Sequence, residues 1–358
     1  MPQAVVIGGR GQSGRAIARR LIEGGWDVLA TTSKEPPPEG DVPGVRWAVF
    51  GRGFAPPVEG APAQSLADVV PEGTDVVVDV MAFNSRHAGE LIGLGDRIGS
   101  AVVLSTLSVY SDAAGRSLEG ATDDASFPDW PVPIPEDWAT VAPADEGGYS
   151  TGKSALEEAL RQGAPFPVTI VRPGAIHGRG SSHLREWYFI KRALDKRGQV
   201  VLPYDGKSVF QPTATVNMAE LVALAAARPG ARTLNCGDID PPNVAEISAL
   251  VDELVGWKTE RVLVSAAPPS SSVGSNPWAV PRPVVSDMSR AREDLGYVQP
   301  ATYAEALADT VPWAVESAAG RDWKDVFPTL ARYPEEQFDY AAEDLFLAEM
   351  SGNAGRAG

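Results

Sequence analysis

The chain has 358 residues, of which 47 are acidic and 31 are basic, so its formal net charge at neutral pH is −16. Hydrophobic residues make up 44% and charged residues 22%, a balance that is typical of globular proteins and argues against disorder. The single cysteine excludes a disulfide framework and a multi-cysteine zinc site. The acidic balance disfavours binding to nucleic acids or to anionic membranes.

Location and metal content are also predicted from what the sequence lacks. No apolar stretch is long enough for a membrane span, and the chain starts without a charged region ahead of an apolar signal core. The 3 histidines are scattered, which disfavours a histidine-rich metal site. We therefore expect a cytoplasmic protein with no metal.

The first 172 residues alternate between short apolar runs and amphipathic segments. The apolar runs predict strands at 4–7, 27–31, 45–50, 75–80, 101–105 and 168–171. The amphipathic segments predict helices at 15–23, 88–94 and 150–161. Strands that alternate with helices form parallel sheets, so this region is predicted to be a Rossmann-type, doubly wound α/β domain.

The composition changes after residue 172, and the remaining segments are predicted to be mainly helical. These helices are expected at 186–196, 218–228, 243–255, 287–295 and 303–316. We expect 173–313 to form a smaller substrate-binding lobe, with some segments returning to the Rossmann core. A Pro- and Trp-rich loop at 113–148 is expected over the site, and 314–358 is expected to be an extension whose last residues are frayed.

A glycine-rich loop follows the first predicted strand. Gly8, Gly11 and Gly14 have the spacing of a dinucleotide-binding loop, with Gln12 and Ser13 between the last two. Such glycines permit a tight turn, a close approach to a pyrophosphate, and close packing of helix on strand. Glycine-rich turns are common, so the motif alone is weak evidence for a dinucleotide site. Its position directly after the first predicted strand strengthens this interpretation, and the alternative is an ordinary strand-to-helix turn.

The end of the second predicted strand bears on the choice of cofactor. Thr32, Ser33 and Lys34 stand where an acidic residue would bind the ribose 2′-hydroxyl of NAD. Hydroxyl groups and a lysine, with Arg10 of the glycine loop, suit the 2′-phosphate of NADP instead. We therefore predict NADP in preference to NAD, although Lys34 is also consistent with a solvated loop charge.

Two further motifs combine into a proton-transfer site. Tyr149 and Lys153 are four residues apart at the start of a predicted helix, and on a helix residues at this spacing share one face. An ammonium group beside a phenol stabilises the phenolate, which allows the tyrosine to exchange a proton with a substrate. The segment 105–110 ends a predicted strand, at the edge where open α/β sheets bind ligands, and Thr106 offers a hydroxyl there.

Together these motifs resemble the extended short-chain dehydrogenase/reductase family, the NAD-dependent epimerase/dehydratase group. The resemblance covers about residues 4–313 and includes a C-terminal signature, Asp287–Ala291, Leu295-Gly296-Tyr297, Pro300, Tyr303, Glu305-Ala306-Leu307, Thr310 and Trp313. It implies that Tyr149 is the general acid/base, that Thr106 orients the substrate, and that Lys153 also holds the nicotinamide ribose. It further implies that Ala82 and Pro173 line the cofactor.

Departures from the family pattern concern the substrate. Ala175 stands where nucleotide-sugar enzymes carry an asparagine, and 210–212 lacks the arginine that grips a substrate diphosphate. These departures therefore favour, as the substrate, a smaller polyol, a sugar without its nucleotide or another carbonyl metabolite over a nucleotide sugar. His177, Arg185 and Trp138 are candidate substrate contacts, although His177 is also consistent with a polar turn residue packed beside the cofactor, and Trp138 with an ordinary packed loop.

The sequence therefore predicts an NAD(P)-dependent oxidoreductase, epimerase or dehydratase that transfers hydride at a carbinol or carbonyl carbon of a sugar-like or polyol metabolite. A redox-neutral epimerase that retains its cofactor is one form of this prediction. The alternative is a non-catalytic NAD(P)-binding regulator or scaffold of the same fold. By analogy with the family the chain is expected to form a homodimer.

Overall fold

A computed structural model describes residues 1–33, 42–52, 65–333 and 336–354 of the chain. The chain folds into two units, each of which is built from three separate stretches of the sequence. The first unit comprises Met1–Ile176, Thr213–Ile239 and Ser286–Ala301. The second comprises His177–Pro212, Asp240–Val285 and Thr302–Gly358.

The strands are β1 (Gln3–Ile7), β2 (Asp27–Thr32), β3 (Arg46–Val49), β4 (Thr74–Asp79), β5 (Ile98–Leu104), β6 (Val168–Pro173), β7 (Ala175–His177), β8 (Gln199–Leu202), β9 (Pro212–Ala214), β10 (Arg232–Cys236) and β11 (Glu260–Leu263). The helices are α1 (Gln12–Glu23), α2 (Leu66–Val69), α3 (Ser85–Ile92), α4 (Tyr149–Gly163), α5 (Trp187–Leu194), α6 (Thr215–Ala227), α7 (Val244–Val255), α8 (Ser289–Leu295), α9 (Tyr303–Ala318), α10 (Trp323–Val326) and α11 (Tyr340–Ala354). Short 3₁₀ turns lie at Gly95–Arg97, Leu107–Val109, Tyr204–Gly206 and Leu330–Arg332.

The first unit contains a seven-stranded sheet in the order β3–β2–β1–β4–β5–β6–β10. Every neighbouring pair in this sheet is parallel. The strand order reverses direction between β1 and β4, and such a switch point opens a crevice at the carboxyl ends of the strands. The predicted Rossmann-type doubly wound fold is therefore confirmed.

Alternation along the strands explains why helices cover both faces of this sheet. Ala4 and Val6 of β1 face one hydrophobic cluster, and Val5 and Ile7 face another. The first cluster packs against α1, α6 and α8, and the second packs against α2, α3 and α4. Both faces bury apolar side chains, as expected for a parallel sheet.

The seventh strand, β10, was not predicted from the sequence. Its buried apolar residues, Leu234 and Cys236, alternate with Thr233 and Asn235, so the strand lacks the continuous apolar run of the others. Asn235 is nevertheless fully buried, because its side chain accepts a hydrogen bond from Tyr110 Oη at 2.7 Å and donates one to the Ile134 carbonyl at 2.9 Å. The strand was not recognisable in the sequence because this polar residue, whose hydrogen bonds are satisfied within the core, interrupts the apolar pattern.

The second unit is mainly helical, with α7 packed against both α5 and α9. Its strands β8 and β11 form a parallel pair, and neither was predicted. The residues after 313 pack on this same unit, where Leu347 of α11 joins Val201 in a small hydrophobic cluster. Within the described ranges, no helix is both long and apolar enough to cross a lipid bilayer.

Most predicted helices differ from the observed ones by a few residues at their ends. The helix predicted at 186–196 is shorter and spans Trp187–Leu194, while the one predicted at 218–228 starts earlier, at Thr215. Helix α4 begins at Tyr149 instead of Ser150 and extends to Gly163. The earlier start places Tyr149 in the first helical turn, where it shares a face with Lys153.

The close packing of α1 on β1 predicts that substitutions at two glycines, Gly14 and Gly89, have opposite effects on stability. A Cβ atom at Gly14 would lie 2.3 Å from the Gly8 carbonyl oxygen, whereas one at Gly89, inside α3, would meet nothing within 4 Å. We expect Gly14→Ala to lower the free energy of unfolding by about 2 kcal/mol or more, because the backbone must move. Gly89→Ala should instead stabilise by up to about 1 kcal/mol through its higher helix propensity. Urea unfolding of both variants measures this, and equal effects would contradict the packing argument.

Candidate functional site

The glycine loop joins β1 to α1 through two closely approaching backbone segments. Gly8 has a φ of +85°, a left-handed conformation that favours glycine. A Cβ atom at Gly14 would also lie 2.6 Å from Gly9 Cα, so a side chain does not fit where the helix crosses the strand. At Gly11 the nearest atom to such a Cβ would be the Gly8 oxygen, at 3.7 Å. The loop is thus tight at its first and third glycines and open at its second.

The amino-terminal end of α1 has the chemistry of an anion site. Among the described residues of this helix, Gly11 provides no side-chain cap, and the first turn holds no acidic side chain. Its main-chain N–H groups and positive dipole end are therefore suited to a phosphate. Gln12 Oε1 is buried and has no hydrogen-bond partner in the described part of the chain, and Ser13 follows it. These properties fit the pyrophosphate of a dinucleotide.

The end of β2 presents hydroxyl groups beside this loop. Thr31 Oγ1 accepts a hydrogen bond from the main-chain N–H of Gly8 at 3.1 Å. Thr32 is buried, and Ser33 is exposed. Lys34, the predicted contact for a 2′-phosphate, lies outside the described residues.

A buried ion pair between Arg52 and Asp79 joins the segment after β3 to the end of β4. Both side chains are almost completely buried. Asp79 also accepts a hydrogen bond from the main-chain N–H of Met81 at 2.9 Å, and Arg52 Nε lies 2.8 Å from Glu90 Oε2. The pairing of these two residues was not predicted, because a contact between residues 27 positions apart leaves no local motif. The pair places a buried cation at the strand-end edge that also carries the glycine loop.

Thr106 is the second residue after the end of β5 and is 9% exposed. Its hydroxyl oxygen accepts a hydrogen bond from the main-chain N–H of Ser108 at 3.1 Å, which starts the short 3₁₀ turn Leu107–Val109. Ser108 in turn shares a 2.7 Å hydrogen bond with the hydroxyl of Ser150 in α4. The Thr106 segment is therefore fastened to the first turn of the helix that carries Tyr149.

Tyr149 and Lys153 lie on the same face of α4 but differ in exposure. The Tyr149 side chain is 47% exposed, and Lys153 is 2% exposed. Lys153 Nζ lies 5.8 Å from the centroid of the Tyr149 ring and 4.5 Å from that of Phe83. The helix thus presents an accessible phenol with a buried ammonium group beside it.

Two main-chain carbonyls hold the ammonium group of Lys153. Its Nζ donates to the Ala82 oxygen at 2.6 Å and to the Leu104 oxygen at 2.7 Å. An ammonium group has three donors, so one donor remains for a ligand. Ala82, a predicted cofactor-lining residue, is fully buried and contributes its carbonyl to Lys153. Lys153 therefore has a structural role in addition to the role that the family resemblance implies.

Burial sets the protonation of Lys153. Desolvation lowers the pKa of its ammonium group to about 8, against the opposing charges of Asp79 and Glu157, and nearby Arg52 lowers it further. The ammonium group is consequently charged at neutral pH and loses its proton in mildly alkaline solution. While charged, it favours the phenolate form of the neighbouring Tyr149.

Glu119 caps the helix that carries Tyr149. One of its carboxylate oxygens accepts a hydrogen bond from the Tyr149 N–H at 2.8 Å, and the other accepts one from the Ser150 N–H at 2.7 Å. Burial alone would raise the pKa of Glu119, but these main-chain hydrogen bonds outweigh it and lower the pKa. A charged carboxylate at a helix amino terminus is favourable. Glu119 was not predictable from local spacing, since it lies 30 residues before its partner.

The loop 113–148 is fastened at several points within the first unit. Asp145 accepts a hydrogen bond from the main-chain N–H of Ser85 at 2.9 Å, at the start of α3. Trp138, a candidate substrate contact, donates its indole N–H to the Ser111 carbonyl at 2.9 Å. Trp138 is half-buried, so this bond fixes its indole nitrogen and leaves part of the ring accessible.

The other two candidate substrate residues belong to the second unit. His177 is 1% exposed, and its ring centroid lies 4.9 Å from that of Tyr303. Its Nδ1 lies 3.9 Å from Glu186 Oε1, which accepts a hydrogen bond from Tyr303 Oη at 3.0 Å. Arg185 is half-buried, with its guanidinium carbon 5.8 Å from the centroid of the Phe210 ring. His177 is thus a packed residue of this unit, and Arg185 has the greater access to a ligand.

Pro173, the remaining predicted cofactor contact, ends β6 and is buried.

Across residues 1–33, 42–52, 65–333 and 336–354, no group of three or more acidic, cysteine or histidine side chains has the arrangement of a metal site.

Solved structures with the same fold were found, although no protein-family model and no curated protein matches the sequence. MoeE5 in complex with UDP-glucuronic acid and NAD has 19% sequence identity and a TM-score of 0.62, over 88% of this chain and 99% of that one. UDP-N-acetylglucosamine 4-epimerase from Bacillus cereus has 16% identity and a TM-score of 0.63, over 87% and 99%. DesIV, a dTDP-glucose 4,6-dehydratase from Streptomyces venezuelae with NAD bound, has 18% identity and a TM-score of 0.62, over 89% and 99%.

Two of these three structures are an epimerase and a dehydratase by name, the activities of the group that the sequence resembles. At such low identity the likeness concerns the fold, and the match extends over nearly the whole of each solved chain. The fold expected from the resemblance is therefore confirmed along most of the chain.

The capping contact of Glu119 predicts that its removal destabilises the start of α4. We expect Glu119→Ala to lower the free energy of unfolding by about 1 kcal/mol, because two N–H groups at the start of α4 lose their acceptor. Amide hydrogen exchange at Tyr149 and Ser150 should accelerate, and urea unfolding should report the loss in stability. Glu146→Ala, which changes an exposed carboxylate of the same loop, is the control. Unchanged exchange at Tyr149 in the Glu119 variant would contradict the capping role.

Proposed function

We propose that the protein is an NAD(P)-dependent oxidoreductase, epimerase or dehydratase of the extended short-chain dehydrogenase/reductase type. The observation that carries this proposal is the position of Lys153, whose ammonium group is hydrogen-bonded to the carbonyl of Ala82, three residues beyond β4, and to that of Leu104 at the end of β5. Thr106 follows one of these strands, and Tyr149 shares the helix face of the lysine. A proton donor, a cation and a hydroxyl thus gather at the edge where such sheets bind ligands.

The proposed cofactor is a nicotinamide dinucleotide, held by the glycine loop and the amino terminus of α1. Gly8, Gly11, Gly14, Gln12 and Ser13 would hold its pyrophosphate, and the ends of β2, β4 and β6 would line the rest. When bound, the cofactor supplies or accepts the hydride. The hydroxyls of Thr32 and Ser33 support NADP over NAD, whereas several solved structures with this fold contain NAD.

In the proposed mechanism the side chains of this chain handle the proton. The Tyr149 phenol donates a proton to a substrate carbonyl oxygen, or its phenolate removes one from a hydroxyl. The charged Lys153 stabilises the phenolate that forms when the phenol gives up its proton. Thr106 orients the reacting oxygen by a hydrogen bond, which places it in reach of the phenol.

The proposed substrate is a sugar-like, polyol or carbonyl metabolite. Ala175 and the segment 210–212 lack the polar side chains with which nucleotide-sugar enzymes of the resembled family hold their substrate. The solved epimerases and dehydratases with this fold support a sugar as the reacting group. Arg185, half-buried in the second unit, remains the proposed polar contact to the substrate.

A second candidate function is a non-catalytic nucleotide-binding regulator or scaffold. It is favoured by the two main-chain carbonyls that bind Lys153, since this arrangement stabilises the fold even without catalysis.

Mass spectrometry of the nucleotide that co-purifies with the protein tests whether the enzyme is a redox-neutral epimerase. A retained nucleotide without net cofactor consumption favours a redox-neutral epimerase. The homodimer and the cytoplasmic location also stay predictions, and light scattering tests the first of them.

The role of Tyr149 is tested by removing its hydroxyl group. We expect Tyr149→Phe to bind NADH and NADPH as the wild type does and to lose about 100-fold in turnover, the effect of losing a general acid/base. Nicotinamide absorbance with a panel of carbonyl and polyol compounds measures turnover, and fluorescence titration with both nucleotides measures binding. Tyr333→Phe in the second unit is the control. Unchanged turnover in Tyr149→Phe would reject the role, and a wild type that consumes no compound would favour the regulator.

The pH dependence of turnover follows from Lys153. Because burial lowers the pKa of this ammonium group to about 8, its charge is present below that pH and is lost as the pH rises through it. The charges of Asp79 and Glu157 oppose this shift, and that of Arg52 adds to it. We expect kcat to fall on the alkaline side near pH 8, as the neutral amine no longer stabilises the phenolate. Lys153→Arg keeps its charge over this range, so an identical alkaline fall in that variant would contradict the assignment.

A further inference from the structure

Glu157 lies on α4 one helical turn beyond Lys153, and none of the sequence motifs includes it. Its side chain is 1% exposed. Tyr149, Lys153 and Glu157 follow each other at intervals of four residues, so all three lie on one face of the helix. A fully buried carboxylate is costly unless it is paired, which makes the partners of Glu157 informative.

The first partner of Glu157 is the residue next to Thr106. Ser105 Oγ donates a hydrogen bond to Glu157 Oε1 at 2.5 Å. The main-chain N–H of Ser105 also bonds to the Val171 carbonyl at 2.7 Å, which holds this strand end against β6. Glu157 therefore connects the helix of Tyr149 directly to the end of β5 that carries Thr106.

The second partner is Arg172, which holds Glu157 with two hydrogen bonds. Arg172 Nε donates to Oε1 at 2.9 Å, and Arg172 Nη2 donates to Oε2 at 2.6 Å. Arg172 is itself fixed in β6, because Nη1 donates to the Glu136 carbonyl at 3.0 Å and the guanidinium lies 4.8 Å from the Tyr110 ring centroid. Two parallel bonds to a buried, fixed guanidinium define the orientation of the carboxylate.

These contacts keep Glu157 charged. Burial alone would raise the pKa of Glu157, but the hydrogen bonds and charge of Arg172 outweigh it and lower the pKa. The exposed end of Arg161, one turn further along α4, adds a third cationic donor at 2.5 Å. A negative charge thus persists one turn from Lys153 in a region of low dielectric, where charges interact strongly.

Titratable groups face Lys153 from three other elements. Asp79 at the end of β4 favours the ammonium form, Arg52 after β3 opposes it, and His87 of α3 is near enough for Lys153 to lower the pKa of its imidazole. Glu157 is the acidic group that reaches Lys153 from its own helix. It joins Asp79 in offsetting the burial of the ammonium group.

We propose that Glu157 is the positioning residue of the Thr106–Tyr149–Lys153 set, an inference that rests on the proposed function. Its carboxylate holds α4 against the end of β5 through Ser105, and against β6 through Arg172. Its charge keeps the ammonium group of Lys153 protonated. A shift of the helix would move Tyr149 relative to Thr106, and a small misplacement of reacting groups costs much of the rate.

The test compares Glu157→Gln with Glu158→Gln, its exposed neighbour on the same helix. The pKa of Lys153 is read from the Cε resonance of labelled lysine, assigned by its loss in Lys153→Met. In Glu157→Gln we expect this pKa to fall further below about 8. We also expect kcat to fall about tenfold or more, with KM within about twofold of wild type. Glu157→Asp, which keeps the charge, should restore part of both, and Glu158→Gln should change neither.

An unchanged Lys153 pKa in folded Glu157→Gln, or an equal loss of kcat in Glu158→Gln, would overturn the proposal. If Glu157→Gln does not fold, Ser105→Ala removes the contact to β5 and leaves the Arg172 pair intact. That variant should lose about threefold or more in kcat at unchanged KM, and a wild-type kcat would overturn the positioning role. The lysine resonance requires no turnover, so the charge effect of Glu157 is decided even if Tyr149→Phe disproves the proposed chemistry.

Discussion

Helix α4 is held on one face by buried ionic contacts, and the arrangement of the site depends on this attachment. Lys153 binds the carbonyls at two neighbouring strand ends, and Glu157 binds Arg172 in a third strand. An unpaired charge in the core costs several kcal/mol, so a rotation or slide of the helix that broke these pairs would be strongly unfavourable. The position of Tyr149 in the first turn is therefore set by contacts made further along the same helix.

The same contacts bring opposing charges close together in the interior of the first unit. The pairs Arg52–Asp79 and Arg172–Glu157 contain charges that act on Lys153, whose own burial favours the neutral form. Apolar side chains of similar volume often pack as stably as a buried ion pair. Groups that titrate near neutral pH in such surroundings are typical of sites that transfer protons. The charge arrangement is therefore consistent with the proton transfer that we propose.

The strands with β-branched runs and the short motifs were predictable from the sequence, because both are local patterns. The first six strands of the sheet and the glycine loop belong to this class. Strand β10 was missed because Asn235 interrupts its apolar pattern, and its polar side chain is satisfied only by segments far along the chain. Glu119 and Glu157 were missed for the same reason, since their partners lie 30 and 52 residues away. Propensity and spacing do not encode such long-range polar contacts.

The loop 113–148 is tied to the starts of two helices by carboxylates near its ends. Glu119 holds the first turn of α4, and Asp145 holds the first residue of α3. The intervening stretch has buried anchors of its own, because the Glu136 carbonyl accepts a hydrogen bond from Arg172 and the Ile134 carbonyl accepts one from Asn235. Libraries for the directed evolution of the proposed enzyme would therefore randomise the exposed positions between the two acidic residues and leave these buried ones unchanged.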